Sequence, residues 1–166
     1  PGAGHGPARR WPTRHFATLA NLLSDEWPEA DVVVLGSAAE RATATEIAAL
    51  SGQPVRNLVG LTGVEEALAL VSQAAGVVSG DSGVMHLAAA FGRPQVAVFG
   101  ATDPRHTPPL SPRAHVEWLH LPCSPCFGHE CAFGHADCLA HIAPTAVFES
   151  LSKAMRFEPA GTRPVR

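Results

Sequence analysis

Apolar positions in this chain change their period several times, and each change marks an element. Continuous short runs at Val32 to Leu35, Val55 to Val59 and Gln95 to Phe99, with Val77 and Val78 set between Gly and Ser, predict buried strands. Between them apolar residues recur every three or four positions, which predicts helices. Phe16, Leu19, Ala20 and Leu23 share one face of a helix that Pro12 can open and Pro28 stops. Glu40 to Leu50 predicts a second helix with Ile47 and Leu50 inward, ended by Gly52. Val64 to Ala75 predicts a third, with Val64, Leu68 and Val71 on one stripe. Val84 to Phe91 adds a fourth, and Pro144 to Met155 a last one that packs through Val147, Leu151 and Ala154. The segment GATDPRHTPPLSP from Gly100 is too rich in Pro for a helix, and Val116 to Leu121 follows it as one more strand.

Short strands alternating with helices form a βαβ series, so the expected fold is α/β, a Rossmann-like parallel sheet flanked by helices with right-handed crossovers. Ligands in such sheets sit beyond the carboxyl ends of the strands. That rule puts Gly36 to Glu40, Gly60 to Gly63, Gly80 to Gly83 and Gly100 to Asp103 on one rim.

One corner of that rim stands out, AGVVSGDSGVMHLAAAFG from Ala75. Its Gly-Asp-Ser-Gly turn lets a ligand approach the backbone, and the first free amides of the following helix offer donors and partial positive charge to an anion such as phosphate. His86 lies one helical turn past Ser82 and Gly83, and helical side chains lean toward the N-terminus, so its imidazole is expected to tip toward the ligand. A plainer account makes Asp81 or Ser82 a helix cap and His86 a residue bonded to its own turn. Arg9 and Arg10 stand before the first helix, where an anion could meet them, or where they are simply solvated. Thr102, Asp103, Arg105, His106 and Thr107 bring further polar groups beside the turn.

Composition narrows the function classes. A net charge of −3 argues against a nucleic-acid binder, because displacing counterions needs a basic surface. No apolar run reaches membrane-spanning length or resembles a signal peptide, so a soluble cytoplasmic protein is expected. The chain begins inside a Gly/Pro loop, PGAGHGP, where a parallel-sheet domain would normally supply a strand first, and this suggests a piece of a larger protein. The tail from Glu158 is polar, rich in Pro and Gly, and expected to fray. All four cysteines, Cys123, Cys126, Cys131 and Cys138, fall in one short segment with His129 and His135. Their CxxC start suits a structural zinc site; disulfides and reduced thiols are the alternatives.

Three separate segments together resemble a known family. GDSGVMHLAAAFGRPQVAVFGATDPRHTPPLSP resembles the donor-binding signature of glycosyltransferase family nine, the heptosyltransferases of lipopolysaccharide core assembly. PGAGHGPARRWP and CSPCFGHECAFGHADCL resemble the start of the same half and the Cys-rich loop in its heptosyltransferase II-like subgroup. The resemblance implies a GT-B enzyme with two Rossmann-like domains, of which residues 1–166 look like the donor-binding domain alone, with the Cys-rich loop at 123–138. It implies inverting transfer of heptose from ADP-heptose to the lipopolysaccharide inner core, with Asp81, Ser82, Gly83 and His86 on the sugar and diphosphate. Arg9 falls where the family usually has a Lys near the phosphates, and Glu40 and Thr62 fall where it contacts the nucleoside. Asp81 is assigned to heptose hydroxyls or to orienting His86. The carboxylate base and the acceptor site belong to the domain this chain lacks, so the fragment is expected to bind nucleotide without transfer. The chain has no DxD motif, and no metal is expected for catalysis. The full protein is expected in the cytoplasm, with peripheral association at the inner face of the inner membrane. Two other accounts are a UDP-sugar epimerase or other GT-B transferase, which would prefer uracil, and a metal-stapled interaction domain, which would bind no nucleotide and unfold on chelation.

Overall fold

Two parallel ladders carry the fold in a computed structural model that describes residues 6–157. The opening of the Gly/Pro loop and the tail from Glu158 lie outside the described residues. The first ladder joins β1 (Val33–Val34) to β2 (Arg56–Asn57). The second runs in the order β3 (Val77–Gly80), β4 (Gln95–Phe99), β5 (Ala114–Trp118). Parallel neighbours need a crossover, supplied by α2 (Arg41–Leu50) between β1 and β2 and by α4 (Gly83–Ala90) between β3 and β4. From β4 to β5 the chain crosses through the irregular Pro-rich segment instead. The remaining helices are α1 (Thr13–Glu26), α3 (Val64–Gln73), the short α5 (Asp137–Ala140) and α6 (Pro144–Arg156).

β4 is buried along its whole length because both of its faces are covered. Side chains alternate across a strand, so Val96 and Val98 enter one core with Trp11, Leu19, Leu139 and Val147. Ala97 and Phe99 enter a second with Met85, against which Trp118 packs. The first core belongs to α1 and α6, the second to α4. α6 buries Val147, Leu151 and Ala154, the stripe its spacing predicts.

Several expectations need correction. In place of one continuous sheet there are two parallel ladders, because ladder bonds among the described residues do not join β1 and β2 to β3, β4 and β5. β1 and β2 are shorter than the apolar runs, although parallel hydrogen bonds continue from Arg56 N–H to Val32 O at 2.8 Å through Gly60 N–H to Gly36 O at 2.9 Å. Leu50 is 52% exposed instead of inward, since α2 ends on polar contacts in which Ser51 and Gly52 bond the Asn21 side chain. Val64 is 77% exposed at the first position of α3, with no earlier turn of helix to bring it against the core, and α3 ends at Gln73, short of Ala75. β5 starts before Val116 and stops at Trp118, and His120, with φ 49°, breaks the extended run before Leu121. No helix among the described residues is long and apolar enough to cross a membrane.

Candidate functional site

β3 delivers its last residue, Gly80, beside β4, and the chain turns through Asp81 and Ser82 into α4. Ser82 is the N-cap in an extended conformation, and its side chain makes no capping bond. Met85 N–H already donates to Ser82 O at 3.1 Å, so within the first turn it is the Gly83 and Val84 amides that are left to a ligand or to water. A Cβ added at the exposed Gly83 would meet nothing within 4 Å, so the backbone is open to approach there. Met85 and Ala88 hold α4 to the sheet, which turns the exposed His86 outward.

Arg9 reaches this corner from the other end of the chain. It closes a 3-10 turn, Pro7–Arg9, whose backbone presses on the end of β3: a Cβ at Gly80 would stand 3.3 Å from the Arg9 carbonyl oxygen. Glycine at this position is what permits the approach. The Arg9 Nη1 lies 3.5 Å from Asp81 Oδ2, a pair whose side chains are 22% and 12% exposed. Thr107 donates its hydroxyl to the other carboxylate oxygen at 3.4 Å. Asp81 is thus engaged by Arg9 and Thr107, because the Arg9 turn and the loop after β4 converge on it; of its two expected roles, heptose hydroxyls or orienting His86, the second has no hydrogen bond among the described residues. Arg9 Nε is buried with no partner among the described residues, so the guanidinium retains donor capacity. Arg10 is exposed, and its N–H closes the turn on Pro7 O.

The loop after β4 is anchored by Asp103, a buried carboxylate gripped by the Arg105 side chain, with Nη2 to Oδ2 at 2.6 Å and Nε to Oδ1 at 2.9 Å. The Arg105 hydrogen bonds, side chain first and backbone N–H after, hold the Asp103 carboxyl down to about 2. A carboxyl depressed below its usual 3.8 stabilises the fold above that pH, and the contribution is lost as pH falls through about 2. Acid titration followed by Trp fluorescence is expected to show a step in that window, since Arg105 lies over the Trp118 ring at 5.7 Å. Asp103→Asn should abolish the step; equal profiles for both proteins would count against this anchor. In the sequence Thr107 is only one polar residue of the loop, and Ser124, whose buried hydroxyl bonds Gly100 O, does not stand out at all. No local motif signals either contact, because each joins segments distant in sequence.

Glu40 and Thr62 lie on the other ladder's turns. The Glu40 carboxylate accepts the Ser37 N–H at 2.7 Å and its hydroxyl at 3.1 Å, a capping box that fixes the turn after β1. Thr62, half-buried, follows Gly60, whose φ of +68° and closeness to the Ala38 backbone demand glycine. The four cysteines are free, and all border one cavity. Among the described residues no group of three or more His, Cys, Asp or Glu side chains is placed to hold a metal ion as the side chains stand.

Comparison with known proteins places this geometry in context. A model of the family described as "Glycosyltransferase family 9 (heptosyltransferase)" matches residues 1–137. The chain is 40% identical over 164 residues to lipopolysaccharide heptosyltransferase 2 of Escherichia coli K12, covering 96% of this chain and 47% of that protein. It is 42% identical over 120 residues to lipooligosaccharide heptosyltransferase 2 of Haemophilus influenzae, covering 70% and 34%. The solved E. coli ADP-heptose lps heptosyltransferase II superposes with a TM-score of 0.81 at 39% identity, over 93% of this chain and 44% of that one. The chain therefore spans about half the length of the curated relatives it matches. With a family model matched across 137 of its residues, the chain belongs to glycosyltransferase family 9.

Proposed function

We propose that this chain is the donor-binding half of an inverting GT-B heptosyltransferase, which moves heptose from ADP-heptose to the inner core of lipopolysaccharide. The observation that carries the proposal is the meeting of Arg9 with the Asp81-Ser82-Gly83 corner, where a cation, open helix amides and an accessible backbone stand together. Breaking the bond between an anomeric carbon and a diphosphate leaves positive charge on the sugar and extra negative charge on the leaving group. The α4 amides and Arg9 meet that negative charge, and preorganised donors of this kind are worth about 3 kcal/mol each. To His86, exposed one turn along α4, this reading assigns a hydrogen bond to a diphosphate oxygen. Asp81 holds Arg9 and Thr107 in place and presents its remaining acceptor capacity to sugar hydroxyls. Ser82 and Gly83 line the phosphate end, and Glu40 and Thr62 the nucleoside end. In this scheme no metal takes part in catalysis, and charge is neutralised by Arg9 and the amides.

The acceptor and the carboxylate that deprotonates its hydroxyl are assigned to the other half of the protein, which acts in the cytoplasm at the inner face of the inner membrane. A calorimetric titration of the chain with ADP and UDP tests the donor reading. ADP is expected to bind more tightly, and the chain alone to show no heptose transfer. Preference for UDP would favour an epimerase or another transferase, and turnover by the chain alone would refute the placing of the base outside it.

A further inference from the structure

Donor binding leaves the Cys-rich segment unused. Cys123, Cys126, Cys131 and Cys138 border a single cavity of about 40 Å³, with Ala8 and Ala101 among its other walls. His135 lines it as well, but its Nδ1 accepts the Asp137 N–H at 3.0 Å and is held in its own turn. What the cavity offers is sulfur and carbon. Water needs two to four polar partners and would be poorly held there.

The surroundings of the sulfurs point the same way. Cys131 Sγ accepts the Ala136 N–H at 3.4 Å, a donor that suits a sulfur ligand, and Cys138 is buried on the same cavity. The segment also grips both shoulders of the donor corner. His129 O accepts the Ala8 N–H at 3.1 Å, next to Arg9, and the Phe127 N–H bonds Ala101 O at 2.7 Å, where the loop bearing Asp103 and Thr107 begins. A Cβ at Gly100 would fall 2.5 Å from the Leu139 side chain and 3.1 Å from Cys138 Sγ, so α5 is seated directly on the end of β4.

We propose that Cys123, Cys126, Cys131 and Cys138 bind one zinc ion as a tetrathiolate, and that this ion fixes the Arg9 turn and the loop after β4 around the donor corner. Soft thiolates select a soft or borderline cation, and zinc accepts four sulfurs tetrahedrally at about 2.3 Å. The sulfurs border one cavity but are not placed to hold an ion as they stand among the described residues, so binding must draw them together. Each thiol releases its proton to solvent as it binds, and no oxidant or reductant is consumed.

The full chain, purified with a reductant and without chelator, is expected to carry about one zinc ion by mass-spectrometric metal analysis. Its four thiols should resist a thiol reagent until a chelator is added, and a Cys131→Ser/Cys138→Ser variant should lose the metal. Cobalt(II) in place of zinc should show thiolate charge-transfer absorption. Resting on the donor reading, removal of the metal should weaken ADP binding several-fold; metal content is read without nucleotide, so the two ideas fail separately. Wild-type protein with four reactive thiols and no metal, a disulfide within the segment under reducing purification, or zinc kept by the double variant would each overturn the site.

Discussion

Arg9→Ala, introduced into the heptosyltransferase proposed above, is expected to lower kcat/KM for its donor about 100-fold, the loss typical of one preorganised donor at a developing anion. Packing of its backbone and the contact to Asp81 together place the side chain for this. Its backbone lies against Gly80, and its Nε is buried with no partner among the described residues, while the 3.5 Å contact to Asp81 is long and partly exposed. Such a pair contributes little to stability, so the variant should unfold within about 1 kcal/mol of the parent. Arg9→Lys should recover most of the rate, because a point charge serves a phosphate although the fork geometry is lost. Asp81→Asn should act differently: Arg9 and Thr107 lose their anionic partner, and activity falls although the Arg9 guanidinium is still present. Steady-state kinetics, paired with calorimetric ADP binding, separate the two. An Arg9→Ala enzyme with parental kcat/KM would remove Arg9 from the site.

Local chemistry makes the Gly80–Gly83 corner legible in the sequence: Gly80, Gly83 and the Ala-rich helix spell a strand, a tight turn and a close-packed helix in consecutive residues. β4 is equally plain, since a strand covered on both faces has no polar positions to blur its ends. Where one face is open the limits are harder to read, as at β1, β2 and β5, whose extents depend on how far the partner strand follows. Leu50 and Val64 show the limit of periodicity, which fixes a helix's apolar face but says nothing about its end residues, where a neighbour is missing. The link between Asp81 and Thr107 spans 26 positions, and that between Arg9 and Asp81 spans 72; neither has a sequence signal, because each depends on how separate loops fold back. Family resemblance alone assigns Arg9 to the phosphates, and the fold supplies the contact that brings it to the corner. Resemblance does not reveal that the Cys-rich segment holds Arg9's turn, a contact made through the Ala8 and His129 backbones, which any side chains could accompany.

Phe99→Ala is expected to cost about 3–5 kcal/mol, a large part of the roughly 5–15 kcal/mol that holds a domain of this kind together. Phe99 is fully buried at the end of β4, in the small core it forms with Met85 and Ala97 beneath Trp118. Truncation removes the ring's burial and leaves a cavity that β4, paired on both sides, cannot collapse to fill. At roughly 2–4 °C per kcal/mol for a chain of this size, the melting temperature should fall by about 6–20 °C. Leu110→Ala, at a side chain 82% exposed, should stay within about 0.5 kcal/mol and controls for loss of apolar surface as such. Because Met85 fixes α4 through this core, nucleotide affinity should decline in Phe99→Ala even where the protein remains folded. Denaturant melts of the three proteins, with ADP titrations below each transition, measure both effects. If Phe99→Ala were to lose stability while binding ADP as the parent does, the corner would be held by its loops and not by the sheet beneath it.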